Sequence, residues 1–158
     1  MGRSGGMTNS TYSETLKYDF RRHISWRVIT YEEFKKMAEK ELDLIPEYCF
    51  EELNGGVILL EHPYLSPKAI NNDLYILGQY SSGRTGKQIL LYFGSFVRVF
   101  GEDDIEGIKK QIRETIRHEF RHHMETRAGM FGKGRLIEED KKKYEDYVEM
   151  HRKRGDFP

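Results

Sequence analysis

One amphipathic stretch, residues 103–129, restricts the fold of this chain more than any other. Ile105, Ile108, Ile112, Ile116, Phe120 and Met124 recur at the three- and four-residue spacing of a single helical face. Lys110, Glu114, Arg117 and Arg121 fall on the opposite, solvated arc. Asp103 or Asp104 supplies a side-chain cap at the start, and Gly129 supplies the stop. The pattern predicts a long helix running to about Ala128, with one face against a core.

The border between the two arcs carries His118-Glu119-x-x-His122, with Thr115 beside it. Residues four apart on a helix stack on one face, roughly 6 Å apart along the axis. Two imidazoles held that way can share one Zn²⁺, and Glu119 then lies beside the open position of the metal. A border position has the core on one side and a cleft on the other, which a chance pair of surface histidines does not require. His123 falls in the middle of the apolar arc. A histidine there reads as a packed, hydrogen-bonded core residue and is not assigned as a ligand.

Those residue types imply a hydrolytic mechanism. Zn²⁺ on neutral imidazole nitrogens lowers the pKa of a bound water and polarises a carbonyl. Glu119 is the expected general base, which passes the water's proton to the leaving amine. Two histidines do not complete a catalytic zinc site, so a third protein ligand is required. The extension x-x-Gly-x-x-His/Asp is absent, because Glu125 and Ala128 stand at its positions. Glu125 lies two turns beyond His118, far for a shared metal. Farther along, Glu138, Glu139, Asp140 and His151 remain open, the acids also being suited to the first turn of a helix.

The rest of the chain divides into short elements. Residues 1–22 read as a flexible leader with no apolar signal-peptide core, and 23–158 as one domain. Ile24, Trp26 and Val28 alternate like a short strand. Thr30 and Glu33 form a capping box that opens a helix to about Leu42 or Leu44. Pro46 starts a second, short helix over residues 47–53, ended by Asn54-Gly55-Gly56. Residues 57–60, 74–80 and 88–93 read as strands, the last two forming an antiparallel hairpin. Residues 96–100 fit either a strand or a helical turn. A closing helix is expected over about 136–152. The fold class is therefore α+β: two N-terminal helices, a small mixed or antiparallel sheet, the motif helix and a C-terminal helix.

Several segments resemble the small bacterial zincin-like metallopeptidases, a minimal group related to the minigluzincins. They are I-T-Y-E-E-F (29–34), E-L-N-G-G-V-I-L-L (52–60), N-D-L-Y-I-L-G-Q-Y (72–80), L-Y-F-G-S-F-V-R-V-F-G (91–101) and R-H-E-F-R-H-H (117–123). The doubled histidine is the most specific of these. The resemblance implies a single-domain, cytoplasmic, zinc-dependent peptidase that lacks the lower subdomain of larger zincins. It also implies a third ligand in the acidic cluster after the motif, with Asp140 first and Glu139 second.

The expected function is thus a zinc-dependent metallopeptidase acting on a peptide or protein. The alternative is a zinc-binding scaffold or interaction protein without peptidase activity. An extended substrate would add as a strand along residues 74–80 or 88–93. Lys and Arg total 26 and Asp and Glu total 26, which removes the electrostatic case for a nucleic-acid partner. No run approaches the roughly 20 apolar residues of a membrane span. The one cysteine, Cys49, excludes an intramolecular disulfide and a cysteine-rich metal site, and suits a reducing compartment. The oligomeric state has no signature in the sequence.

Overall fold

The computed structural model describes residues 11–18, 29–84, 86–130 and 135–157. In chain order these form β1 (Thr11–Tyr18), α1 (Tyr31–Asp43), a 3-10 turn (Glu47–Phe50), β2 (Gly56–Leu60), β3 (Leu74–Gly83) and β4 (Gly86–Tyr92). Three helices follow: α2 (Phe93–Phe100), α3 (Ile105–Arg127) and α4 (Arg135–Lys153). The architecture is α+β, with four helices and a four-stranded mixed sheet among the described residues. None of its helices is long and apolar enough to cross a membrane.

Local chemistry accounts for most element boundaries. Thr30 accepts from the Glu33 backbone N–H at 3.1 Å, and the Glu33 carboxylate accepts from the Thr30 N–H at 2.8 Å. This reciprocal cap satisfies two donors that the first turn of α1 would otherwise leave open. Asp104 caps α3 by accepting from the Gly107 N–H at 2.7 Å, and Gly129 ends it with φ 76°. The expected second helix is only the 3-10 turn. Glu51 is extended and Glu52 takes φ 67°, which stops propagation and turns Leu53 into the core. Residues 96–100, open to two readings, are helical: Phe96 and Val99, three apart, bury one face of α2.

The sheet order is β1-β3-β4-β2. β3 and β4 are the expected antiparallel hairpin, closing at Gly83 and Gly86, while β2 runs parallel to β4. β1 pairs antiparallel with β3 from Thr11↔Ser82 to Tyr18↔Leu74. Part of the expected leader is therefore structured: residues 11–18 are an outer strand of the described sheet, and residues 1–10 and 19–22 lie outside the described set. The alternation at Ile24, Trp26 and Val28 also lies outside it. β1 escapes a sequence reading because its stabilisation is the backbone ladder rather than an apolar stripe. A bulge between Thr15 and Leu16 also breaks the two-residue period. One expectation must be corrected as a result. β3 is paired on both sides, and so is β4, so neither 74–80 nor 88–93 offers a free edge.

The core lies between the sheet and the helices α1, α2 and α3. Phe34 and Ala38 of α1, Leu77 and Tyr80 of β3, Ile89 and Leu91 of β4, and Phe96 of α2 meet Ile108, Ile112, Ile116 and Phe120 of α3. A forked ion pair fastens α1 to α3, with Arg113 Nε and Nη2 donating to Glu41 at 3.1 and 3.2 Å. Gly78 sets how closely α3 approaches the sheet. A Cβ there would lie 2.8 Å from Thr115 Cγ2 and 3.1 Å from Leu91 Cδ2, so any side chain forces the motif helix outward. Gly78→Val is therefore expected to lower unfolding free energy by about 1–3 kcal/mol, the usual cost of overpacking, as read by urea denaturation.

Candidate metal centre

α3 presents His118 and His122 one turn apart, with ring centroids separated by 4.8 Å. Asp140 approaches them from the first turns of α4. Its carboxylate lies 3.1 Å from His118 Nε2 through Oδ1 and 3.0 Å from His122 Nε2 through Oδ2. One ligand atom from each of the three residues falls within 4.8 Å of the others, the one such group among the described residues. Bonds of about 2.0–2.2 Å to a tetrahedral Zn²⁺ space neighbouring ligand atoms by roughly 3.3 Å. The His–Asp separations are close to that spacing. Two imidazoles and one carboxylate are donors of the kind that bind Zn²⁺.

The three groups also hold one another. With no ion between them, each Nε2 must carry the proton to donate to Asp140; with an ion, each must present its lone pair. Burial opposes charge on Asp140. Hydrogen bonds from His118 and His122, and their charge, outweigh that penalty and hold the carboxyl at about 2. Asp140 is thus anionic across the neutral range, as a metal ligand requires. His122 is fully buried and His118 partly so, which places the group at the inner wall of a cleft.

That cleft has a volume of about 530 Å³ and lies between β1, α3 and α4. Glu14 to Lys17 of β1 form one side, Arg117, His118 and Arg121 a second, and Asp140, Tyr144 and Tyr147 a third. Glu119 is 0% exposed, and its Oε2 accepts from the Thr15 hydroxyl at 2.5 Å. The strand that sequence reading overlooked therefore touches the motif glutamate.

His123 behaves as a core residue. Its Nε2 lies 2.8 Å from the Glu51 carbonyl, which can only accept, so Nε2 carries the proton. Nδ1 then accepts from Tyr80 Oη at 2.9 Å. Burial pushes the His123 pKa down, favouring this neutral form. Glu138 and Glu139 are exposed on α4, and Glu125 stands outside the triad. His151, also open on sequence grounds, is buried three turns from Asp140, facing Asp73 and Asp156. Sequence reasoning missed Thr15 and Tyr147. Asp140, Tyr144, Tyr147 and His151 do recur at helical spacing, and that stripe was the available signal.

No protein-family model matches the chain, and no curated protein matches it. A solved structure does, described as a conserved hypothetical protein from Thermo thermophilus. It is 32% identical, with a TM-score of 0.56, over 63% of this chain and 98% of its own. At that identity, across nearly the whole length of the Thermo thermophilus protein, the chain belongs to the same family as that conserved hypothetical protein.

Proposed function

We propose that this chain is a zinc-dependent metallopeptidase of zincin-like type, with His118, His122 and Asp140 as the metal ligands. The convergence of these three side chains from two separate helices carries the reading. A bound Zn²⁺ would supply Lewis acidity and a lowered water pKa. Every other function falls to the chain itself. Glu119 takes the proton of the attacking water and delivers it to the departing amine, the work of a positioned carboxylate. Thr15 orients that carboxylate by donating to one of its oxygens. Among the described residues β1 is the outer strand beside the cleft, and an extended peptide adds along that edge, its backbone pairing as a further strand. The cleft volume suits a few residues of such a peptide.

A second reading, a zinc-binding scaffold without peptidase activity, draws on one observation. Glu119 is fully enclosed and hydrogen-bonded to Thr15, which is how a structural carboxylate is usually held. Zinc content together with cleavage of an unstructured protein separates the two, comparing wild type with Glu119→Gln. The peptidase reading expects the variant to retain zinc and to lose activity by about 10²–10⁴-fold. Equal cleavage by both proteins refutes Glu119 as the base, and zinc binding with no cleavage by wild type favours the scaffold.

The ligand assignment has its own test, a competition titration against a chromophoric zinc chelator. Asp140→Ala is expected to weaken zinc binding beyond the roughly 10–100-fold typical of residues that only support ligands. Glu139→Ala is expected to leave the affinity unchanged. The reverse order would move the third ligand to Glu139.

A further inference from the structure

The metal centre draws two ligands from α3, which is packed into the core, and one from α4, which is held differently. Among the described elements, none packs closely along the backbone of α4. Its inward side chains fall along one stripe: Leu136, buried one turn before Asp140, then Asp140 itself, Tyr144, Tyr147 and His151. Three of these meet the connection between β2 and β3. Lys68 Nζ stands over the Tyr144 ring at 5.1 Å from its centroid. The Ile70 N–H donates to Tyr147 Oη at 2.9 Å, and Tyr147 Oη donates to Asp73 Oδ1 at 2.5 Å. The other oxygen of Asp73 lies 2.8 Å from His151 Nε2, a charge contact without hydrogen-bond alignment, and His151 Nδ1 lies 2.5 Å from Asp156 Oδ2.

These are not surface decorations. Tyr147, Asp73 and His151 are all buried, His151 completely. A buried carboxylate and a buried imidazole are costly to leave unpaired, so the contacts tolerate little displacement. Asp73 is itself anchored, since the next residue opens β3 and the Leu74 carbonyl accepts from the Ser66 N–H at 2.8 Å. The Asp73 end of the contact is therefore part of the sheet. The other end is α4, where Tyr147 and His151 lie about 10 and 16 Å along the helix from Asp140 at 1.5 Å per residue.

We propose that Asp73, Tyr147 and His151 form a latch that positions Asp140 against the two histidines of α3. This rests on the metal-centre reading above. The latch residues do not touch the metal position; they act through Asp140. Fixing α4 to the front of β3 sets the depth and rotation of the helix, and hence where its carboxylate sits. Without the latch, Asp140 would have to be recruited by the ion from a helix anchored near its start by Leu136 but less fixed beyond it. The ordering cost would then fall on metal affinity.

The test measures zinc affinity by chelator competition on the full chain, with zinc alone as the probe. Tyr147→Phe, which removes only one hydroxyl, and Asp73→Asn are placed in the wild-type and Asp140→Ala backgrounds. Circular dichroism checks that each protein is folded, and the milder Tyr147→Phe decides if Asp73→Asn is not. The expected result is an affinity loss of about 10–100-fold in the wild-type background and no further loss with Asp140→Ala. Unchanged affinity in the wild-type background overturns the latch while leaving the metal centre standing. Equal losses in both backgrounds also overturn it, since a general destabilisation does not depend on Asp140. A wild-type chain that binds no zinc overturns the metal-centre reading itself.

Discussion

Everything in this fold depends on the burial of one face of α3 against the sheet. Ile108, Ile112, Ile116 and Phe120 are all but fully removed from water, each worth about 1.5–3 kcal/mol of transfer free energy. That stripe fixes the rotation of the helix about its own axis. Once it is fixed, His118 and His122 have no choice but to stand at the edge of the core. Gly78 sets the remaining variable, the distance between helix and sheet, because no Cβ fits opposite Thr115. Gly78 also pairs with Thr15 across the ladder, so this close approach of α3 to the sheet lies beside the contact of β1 with Glu119.

The site is less uniform than its motif suggests. One half is held by apolar packing, which is non-directional and tolerant of small shifts. The other half is held by short polar contacts that demand a particular geometry. His118 and His122 ride on the first kind, whereas Asp140 sits between Leu136, buried one turn earlier, and polar contacts farther along α4. On the proposed reading, the carboxylate that meets the two imidazoles is fixed in part by polar contacts farther along its helix. Charge also differs between the halves. Asp140 is kept anionic by the two imidazoles, whereas His123, one residue past His122, is buried neutral between a carbonyl and a phenol. Adjacent histidines on one helix thereby take opposite roles because they lie about 100° apart.

The expected substrate edge and the expected leader show where linear pattern loses its hold. T-Y-S-E-T-L-K-Y contains a single aliphatic residue, and no apolar periodicity marks it as a strand. It becomes one because β3 presents an edge whose backbone groups need partners. That pairing then takes the edge that residues 74–80 were expected to offer, and among the described residues it moves the outer edge of the sheet to β1. Long-range backbone pairing of this kind carries no local side-chain code, so it could only be found in three dimensions.

What the amino-acid sequence determined by itself was everything governed by local periodicity and capping. The capping box at Thr30 and Glu33, the β3–β4 hairpin, the extent of α3, the border position of His118 and His122, and the exclusion of His123 all follow from such rules. Resemblance, not periodicity, favoured Asp140 over Glu138 and Glu139, since three consecutive acids point in three directions and only the docking of α4 selects one. Tertiary structure alone brings Asp140 against the two imidazoles, encloses Glu119 by Thr15, and makes the contacts of Asp73, Tyr147 and His151. Each joins residues far apart in the chain through directional polar contacts, and the partner of a directional contact is set by where the backbones meet, which hydrophobic spacing does not encode.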